Sequence, residues 1–170
     1  MAKYFSYGSN LATQRMQKRA PSSQVCCKGY LEGYVLRFHK RSVDGSAKAN
    51  ALHTGTKNDV VRGVVWDIPE ADDLQALDRI EGVGHGYDRI EVAVRTREGS
   101  ISAFTYLAQP HFIDDSLLPY DWYVGLVLGG GREHKFPEEY LKHIELVKVC
   151  PDPDPARDLE NRYRTNEVRS

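Results

Sequence analysis

The sequence predicts an α+β domain, a single mixed sheet or partial barrel with flanking helices. Apolar runs of strand length recur between residues 3 and 107, which indicates a strand-rich sheet. One clear helical pattern interrupts them at residues 69–81, and two more follow at 118–129 and 137–145. Helices and strands in this order pack as layers around one core, and a chain of 170 residues is long enough to bury it.

The chain up to residue 68 is predicted to be mostly strand. Residues 3–7 form a short strand that Gly8-Ser9-Asn10 ends, and we expect Asn10 to cap a helix from residue 11 to about residue 19. The strands that follow are separated by turn residues such as glycine, asparagine and aspartate. They cover residues 25–38, broken by Gly29 and Gly33, residues 47–56 and residues 60–68.

After residue 68 the chain is predicted to form a helix, a hairpin and two further helices. Pro69-Glu70 opens the helix at 69–81 and places acidic residues in its first turn, where the helix dipole favours them. Residues 87–94 and 101–107 are predicted to pair as a hairpin. The helix at 118–129 packs either on its own core or on a second subunit, so a homodimer is one alternative.

Residues 1–150 are predicted to form this domain, and residues 151–170 a charged, proline-rich C-terminal tail. The tail opens with Pro151-Asp152-Pro153-Asp154-Pro155, which breaks regular structure, and a short helix is predicted around residues 155–164. The role of the tail stays open between a lid, an interface arm and a disordered segment.

Charge and composition favour a cytoplasmic protein with no nucleic-acid or membrane partner. The formal net charge is -1, so no overall field draws the molecule to nucleic acid or to an acidic membrane. The apolar runs are far shorter than the roughly twenty residues of a membrane helix, and no signal peptide follows Met1. The three cysteines contain no CxxC pair and the histidines no HExxH spacing, so neither a disulfide framework nor a metal site is predicted.

The first candidate for chemistry is the run Tyr7-Gly8-Ser9-Asn10-Leu11, a strand that passes through glycine into a helix start. Glycine allows a sharp turn that leaves successive backbone N–H groups exposed at the positive end of a helix dipole. Such a concavity suits a carboxylate or a developing oxyanion. The alternative is an ordinary strand-to-helix turn in which Asn10 is only a cap, and the residues alone favour that alternative.

The second candidate is Glu81, at the end of the helix predicted over 69–81. Leu74, Leu77 and Glu81 are spaced i, i+3 and i+7, so they share the core-facing side of this helix. Gly82 is expected to cap the last turn, where both burial and the helix dipole disfavour a charged carboxylate. General acid–base catalysis at neutral pH needs a carboxyl group whose pKa is raised in this way. The alternative is a carboxylate that simply reaches solvent at the helix end.

The remaining candidates are less specific. Tyr87, Tyr106 and Tyr123 either line a pocket or are half-buried packing residues with a solvated hydroxyl group. The cluster Arg37-Phe38-His39-Lys40-Arg41 either binds an anion or is a solvated strand end. The run Gly129-Gly130-Gly131 lacks the Lys-Ser/Thr of a phosphate loop, so no nucleotide cofactor is predicted.

Together these segments resemble the γ-glutamylcyclotransferase family, including its avirulence-induced-gene-like relatives. Tyr4-Phe5-Ser6-Tyr7-Gly8-Ser9-Asn10-Leu11 is similar to the glycine-loop signature of that family. The segments Gly63-Val64-Val65-Trp66 and Leu77-Asp78-Arg79-Ile80-Glu81-Gly82-Val83 resemble the region that carries its catalytic glutamate, which falls on Glu81. Tyr106 and Tyr123 match tyrosines that line the pocket of the family.

The resemblance covers most of residues 4–145 and implies an enzyme that releases 5-oxoproline from a small-molecule γ-glutamyl substrate. It implies no cofactor and no metal. Glu81 is then the acid/base, and the substrate-binding residues are Tyr7, Gly8, Ser9, Asn10, Leu11, Tyr87, Tyr106 and Tyr123. The tail after Cys150, the loop Gly84-His85-Gly86 and the cluster at 37–41 have no counterpart in the resemblance. The alternative is a non-catalytic small-molecule-binding or interaction module on the same fold.

Overall fold

The computed structural model describes the backbone of residues 1–167 and the side chains of residues 1–162. Its strands are β1 (Ala2–Ser6), β2 (Gln24–Glu32), β3 (Tyr34–Arg41), β4 (Ala47–His53), β5 (Val60–Ile68), β6 (Tyr87–Thr96) and β7 (Gly99–Ala108). Its helices are α1 (Thr13–Arg19), α2 (Ala71–Glu81), α3 (Asp121–Glu133), α4 (Glu138–Glu145) and α5 (Pro155–Glu167), with 3-10 turns at Ser9–Leu11 and Pro110–Phe112.

Five of the strands close into a barrel in the order β1-β5-β2-β6-β7. The pairs within it are antiparallel except β1 and β7, which run parallel and meet at Tyr4 and Phe104. Strands β3 and β4 form a separate two-stranded sheet. The predicted α+β architecture, a mixed sheet or partial barrel with flanking helices, is therefore confirmed.

The core of the barrel fixes the end of β1, where the glycine loop begins. Phe5 and Trp66 are fully buried, and the indole N–H of Trp66 donates to the Ser6 hydroxyl at 2.8 Å. A Cβ on Gly63 would lie 2.4 Å from the Phe5 ring and 2.3 Å from the Ser6 carbonyl oxygen. Only glycine therefore lets β5 pass β1 this closely, which explains why a glycine stands inside a central strand.

Helix α3 lies directly on the turn that follows the glycine loop. It runs to Glu133, beyond the end predicted at residue 129, and includes the three consecutive glycines. A Cβ on Gly130 would lie 2.5 Å from the Leu11 Cβ and 2.6 Å from the Ala12 nitrogen, so the glycine allows contact between helix and loop backbone. Most of α3 is buried within the chain itself, which favours packing on its own core over packing on a second subunit.

The segment after Cys150 is anchored to α3. Asp152, whose side chain is fully buried, accepts hydrogen bonds from the Trp122 indole at 2.8 Å and from the Arg157 guanidinium at 2.6 and 2.7 Å. The Arg162 guanidinium pairs with Asp121 at the start of α3. The predicted tail helix exists as α5 and is longer than the expected 155–164. Within residues 1–167 no helix combines the length and the apolar character needed to span a membrane.

Two local predictions were wrong. Asn10 does not cap a helix: α1 begins at Thr13 after Ala12, with no side-chain cap, and the Asn10 side chain turns towards Glu81 instead. The strand run predicted over 25–38 breaks at Gly33, as expected, where a φ of 82° turns the chain between β2 and β3, but the break expected at Gly29 is absent, because Gly29 lies inside β2. Glycine reaches this left-handed conformation at little cost.

Candidate active site

Glu81 is the last residue of α2, and the local sequence places it at the edge of the core. Leu77, one turn earlier on the same face, is fully buried, and Leu74 packs partly against the core, as their spacing predicts. Gly82 ends the helix in the left-handed conformation with a φ of 69°, which confirms the predicted C-cap. The Glu81 side chain is 17% exposed, so its carboxylate is neither sealed in the core nor freely solvated.

The Glu81 carboxylate takes part in a closed set of hydrogen bonds. Its Oε1 accepts from the Asn10 amide at 3.0 Å and from Arg19 Nη1 at 2.8 Å. Arg19 Nη1 also donates to the Asn10 Oδ1 at 2.9 Å, which holds that amide in one orientation. Arg19 was not predicted as a site residue. Its guanidinium forms an ion pair with the Glu81 carboxylate at 2.8 Å and fixes the position of that group.

The glycine loop keeps several backbone donors available. The N–H of Leu11 donates to the Gly8 carbonyl at 3.0 Å and closes the turn. Among the described residues, the N–H groups of Gly8, Ser9 and Asn10 have no hydrogen-bond acceptor. Consecutive N–H groups left open in a turn form a concave site for an anionic oxygen. The loop therefore has the donors that its sequence predicted, in the positions before Leu11.

Three of the tyrosine hydroxyls donate their proton to another group of the protein. Tyr7 donates to the Tyr106 carbonyl, and Tyr87 donates to the Ala49 carbonyl at 2.6 Å. Tyr106 donates to the Asp78 carboxylate at 2.7 Å. Each bond ties two distant segments together, so these hydroxyls support the walls of the site.

Two tyrosines instead accept a hydrogen bond and keep their hydroxyl proton for another acceptor. Tyr123 accepts from the Ala49 N–H at 3.1 Å, and Tyr4 accepts from the Asn10 amide at 3.0 Å. Burial raises the pKa of Tyr4 and of Tyr123 above the ordinary value of a tyrosine. Both hydroxyls therefore stay protonated at neutral pH and can donate to a bound ligand.

These groups surround one narrow cavity of about 30 Å³. It is lined by Tyr4, Tyr7, Gly8, Ser9, Asn10, Ala49, Glu81, Tyr87, Tyr106 and Tyr123. Of the residues predicted for the site, only Leu11 does not line the cavity, because its side chain is fully buried beneath α3. Tyr4 and Ala49 were missed. Tyr4 belongs to the same motif as the glycine loop and could have been found from it, whereas Ala49 carries no signal in the sequence.

Comparisons with known proteins agree with this geometry. The model of the AIG2-like family matches residues 60–144. The γ-glutamylcyclotransferases of Mus musculus and Homo sapiens are each 33% identical to this chain, over 85% of it and 78% of their own length. A solved γ-glutamyl cyclotransferase structure is 29% identical, has a TM-score of 0.84 and aligns over 98% of both chains. That alignment includes most of the segment after Cys150, for which the sequence resemblance offered no counterpart. The chain therefore belongs to the γ-glutamylcyclotransferase family and its AIG2-like relatives.

Proposed function

We propose that the protein is a γ-glutamylcyclotransferase that uses Glu81 as its acid/base and releases 5-oxoproline together with a free amine. The observation that carries the proposal is that Glu81 lines one cavity with Gly8, Ser9 and Asn10, whose N–H groups have no acceptor among the described residues. The mouse and human relatives named γ-glutamylcyclotransferase support the reaction class.

The bond-forming step is intramolecular. The substrate's own α-amine attacks its γ-carbonyl carbon, a five-membered lactam forms, and the bond from that carbon to the leaving nitrogen breaks. Well-oriented intramolecular reactions reach effective molarities of about 10⁵ M or more. The main task of the protein is therefore to hold a folded conformer of the γ-glutamyl group.

Protons must also move, and in this proposal Glu81 performs two of the transfers. The α-ammonium, with a pKa of about 8 in peptides, must lose a proton before it attacks. The departing nitrogen must then gain a proton. The Glu81 carboxylate accepts the first proton and returns it to the leaving nitrogen, so the residue ends in its starting state. After the attack the ring nitrogen still carries one surplus proton, and it loses this second proton to water or to the released amine, which gives the neutral lactam. The Asn10 amide and Arg19 hold the carboxylate in position for both transfers.

The developing oxyanion is stabilised by donors that the fold leaves open. The N–H groups of Gly8, Ser9 and Asn10 supply backbone donors, and Tyr4 and Tyr123 supply hydroxyl donors. Donors fixed before the reaction stabilise the transition state without a reorganisation cost. Tyr7, Tyr87 and Tyr106 shape the walls.

The test is an assay for 5-oxoproline and released amine across a panel of γ-glutamyl amino acids, peptides and amines. We expect Glu81→Gln to lower kcat by about 10²–10⁴-fold, the usual contribution of a general acid–base group. Glu70→Gln is the matched control, because Glu70 is an exposed carboxylate at the other end of the same helix, and it should keep parental activity.

Each outcome has a definite consequence. Product from the parent and from Glu70→Gln, but little from a folded Glu81→Gln, supports the reaction and the role of Glu81. Equal rates for all three proteins would keep the reaction and remove Glu81 from it. No product from the parent on any member of the panel would contradict the proposed function and favour a small-molecule-binding module on the same fold.

A further inference from the structure

Lys40 is a buried lysine with no anionic partner among the described side chains. It lies in β3 and is 9% exposed, yet no described carboxylate is within ion-pair distance of its Nζ and none of the described groups accepts a hydrogen bond from it. Its ammonium lies 4.6 Å from the centre of the Tyr87 ring and 5.9 Å from that of Phe112. The Lys40 Nζ is not one of the buried side-chain nitrogens that lack a partner, so the ammonium keeps some contact with solvent although most of the residue is buried. An ammonium without a nearby protein anion is therefore open to an anion from outside.

A second, partly exposed lysine shows how the same fold treats a structural ammonium. Lys48 also lies over aromatic rings, 4.7 Å from the centre of Tyr123 and 4.9 Å from that of Trp122. Its Nζ, however, forms an ion pair with Asp44 at 2.7 Å and a hydrogen bond with the Ser46 hydroxyl at 2.8 Å. Lys48 is therefore satisfied within the chain, whereas Lys40 has only the faces of its two rings.

The backbone around Lys40 is held in place. The pairing of β3 with β4 is irregular between Phe38 and Lys40, and Lys40 also bridges to Ile113. At the irregularity, His39 is buried and joined to Asp115 at 2.9 Å and to Asn50 at 3.0 Å. The backbone of Lys40 is therefore held in place on both sides, which limits where its side chain can reach.

The ammonium of Lys40 stands beside the candidate active site. A Cβ on Gly86 would lie 2.8 Å from its Nζ, so Lys40 packs against the loop that begins directly after Glu81. The Lys40 ammonium lies over the ring of Tyr87, and Tyr87 lines the cavity together with Glu81. Burial lowers the pKa of Lys40, and the negative charges of Glu81 and Asp44 oppose that shift. Lys40 itself does not line the cavity.

We propose that Lys40 is a specificity-determining residue whose ammonium binds an anionic group on the amine that leaves. This inference rests on the proposed function. In this proposal the reacting amide lies at Glu81 and the loop donors. The cavity there, about 30 Å³, has no room for the leaving portion, so that portion extends outside it, where Lys40 stands. A carboxylate one carbon from the scissile nitrogen is the simplest such group. This role would explain Lys40 of the 37–41 cluster and its contact with Gly86 of the 84–86 loop.

The test compares two substrates that differ in one charge, γ-glutamylalanine and γ-glutamylalaninamide. We expect the parent to prefer the charged substrate by about tenfold or more in kcat/KM, which equals about 1.4 kcal/mol. Lys40→Met should reduce that preference to about twofold or less, through a loss on the charged substrate alone. Lys40→Arg should keep most of it. Lys40→Met should also fold, because methionine keeps most of the buried apolar stem of lysine and no ion pair within the described residues is broken.

Arg41→Met is the matched control. Arg41 is the next residue, it is exposed, and its guanidinium lies 5.8 Å from the same Phe112 ring. This variant should keep the parental preference. Equal losses on the two substrates in Lys40→Met, or an unchanged preference, would overturn the inference and leave the proposed function intact, since 5-oxoproline is still released. No 5-oxoproline from the parent on either substrate, with turnover of other members of the panel, would overturn the inference alone, and no product on any member of the panel would overturn both.

Discussion

The contact between α3 and the glycine loop gives the most direct test of how the fold supports the site. In Gly130→Ala the new Cβ would lie 2.5 Å from the Leu11 Cβ and 2.6 Å from the Ala12 nitrogen. Carbon atoms in ordinary contact are about 3.5 Å apart, so the helix or the loop must retreat by about 1 Å. The loop backbone has no rotamer with which to avoid the contact, so the displacement passes to the open N–H groups of Ser9 and Asn10.

The expected effects can be worked out from this displacement. A misplacement of about 1 Å in a catalytic site can cost about 10²-fold in rate, so we expect a loss of that order in kcat/KM for 5-oxoproline release. The free energy of unfolding changes less. Overpacking destabilises the fold by about 1–3 kcal/mol, and the better helix propensity of alanine stabilises it by about 1 kcal/mol. The free energy of unfolding should therefore fall by up to about 2 kcal/mol.

Gly131→Ala is the matched control because it is the same substitution in the same helix, one residue later. Its Cβ would meet side chains only, the Leu141 Cδ2 at 2.8 Å and the Phe136 ring at 3.3 Å, and the end of a leucine side chain can move. This variant should keep activity within about threefold and should not lose stability, given the alanine preference in helices. The reasoning is refuted if a folded Gly130→Ala keeps the parental kcat/KM, or if both variants lose it equally.

Three further predictions follow from single contacts. Arg19→Met should lower kcat/KM by about tenfold or more, since Glu81 loses a charged donor, and the panel assay measures it; parental activity would mean that Arg19 does not position Glu81. Asp152→Asn should reduce the free energy of unfolding at pH 7 by about 2 kcal/mol, less than for a sealed pair because Arg157 is 31% exposed. The hydrogen bonds from Arg157 hold the pKa of Asp152 below its usual range, so this contribution is present above about pH 4 and is lost as the pH falls further; urea titrations that show the same acid loss in the variant would contradict it. Burial raises the pKa of Cys27 to about 11, so iodoacetamide should modify this thiol at pH 7 about a hundredfold more slowly than it modifies free cysteine. Mass spectrometry can follow the modification, and a rate equal to that of free cysteine would contradict the prediction.

The sequence predicted those elements whose signals are local. Helix α2 ends at Gly82 because glycine reaches the left-handed conformation there, and the apolar stripe that includes Leu77 placed Glu81 correctly at the edge of the core. The β6–β7 hairpin followed from two strand-like runs joined by a short turn. In each case the residues that determine the structure lie within about one helical turn or one hairpin of each other. Their spacing in the sequence is therefore enough to predict the element.

The predictions failed where distant contacts outweigh local preference. Asn10 is a good N-cap by type, but its amide bonds to Glu81, 71 residues away. The three glycines of α3 are poor helix formers, yet the helix continues through them because close packing on Leu11 compensates for their low propensity. Arg19 could not be assigned to the site from the sequence, because 62 residues separate it from Glu81 and no short motif joins them.

The tyrosines of the cavity show the same distinction within one residue type. All of them are buried, so the sequence and the burial pattern treat Tyr7, Tyr87 and Tyr123 alike. The direction of the hydrogen bond separates them. Tyr7 and Tyr87 give their only proton to backbone carbonyls, whereas Tyr123 accepts from the Ala49 N–H and keeps its proton for a ligand. A hydroxyl group has one proton to donate, so a tyrosine that braces the wall cannot also stabilise an oxyanion. The chemical role of each tyrosine is therefore set by the backbone opposite it, which only the fold determines.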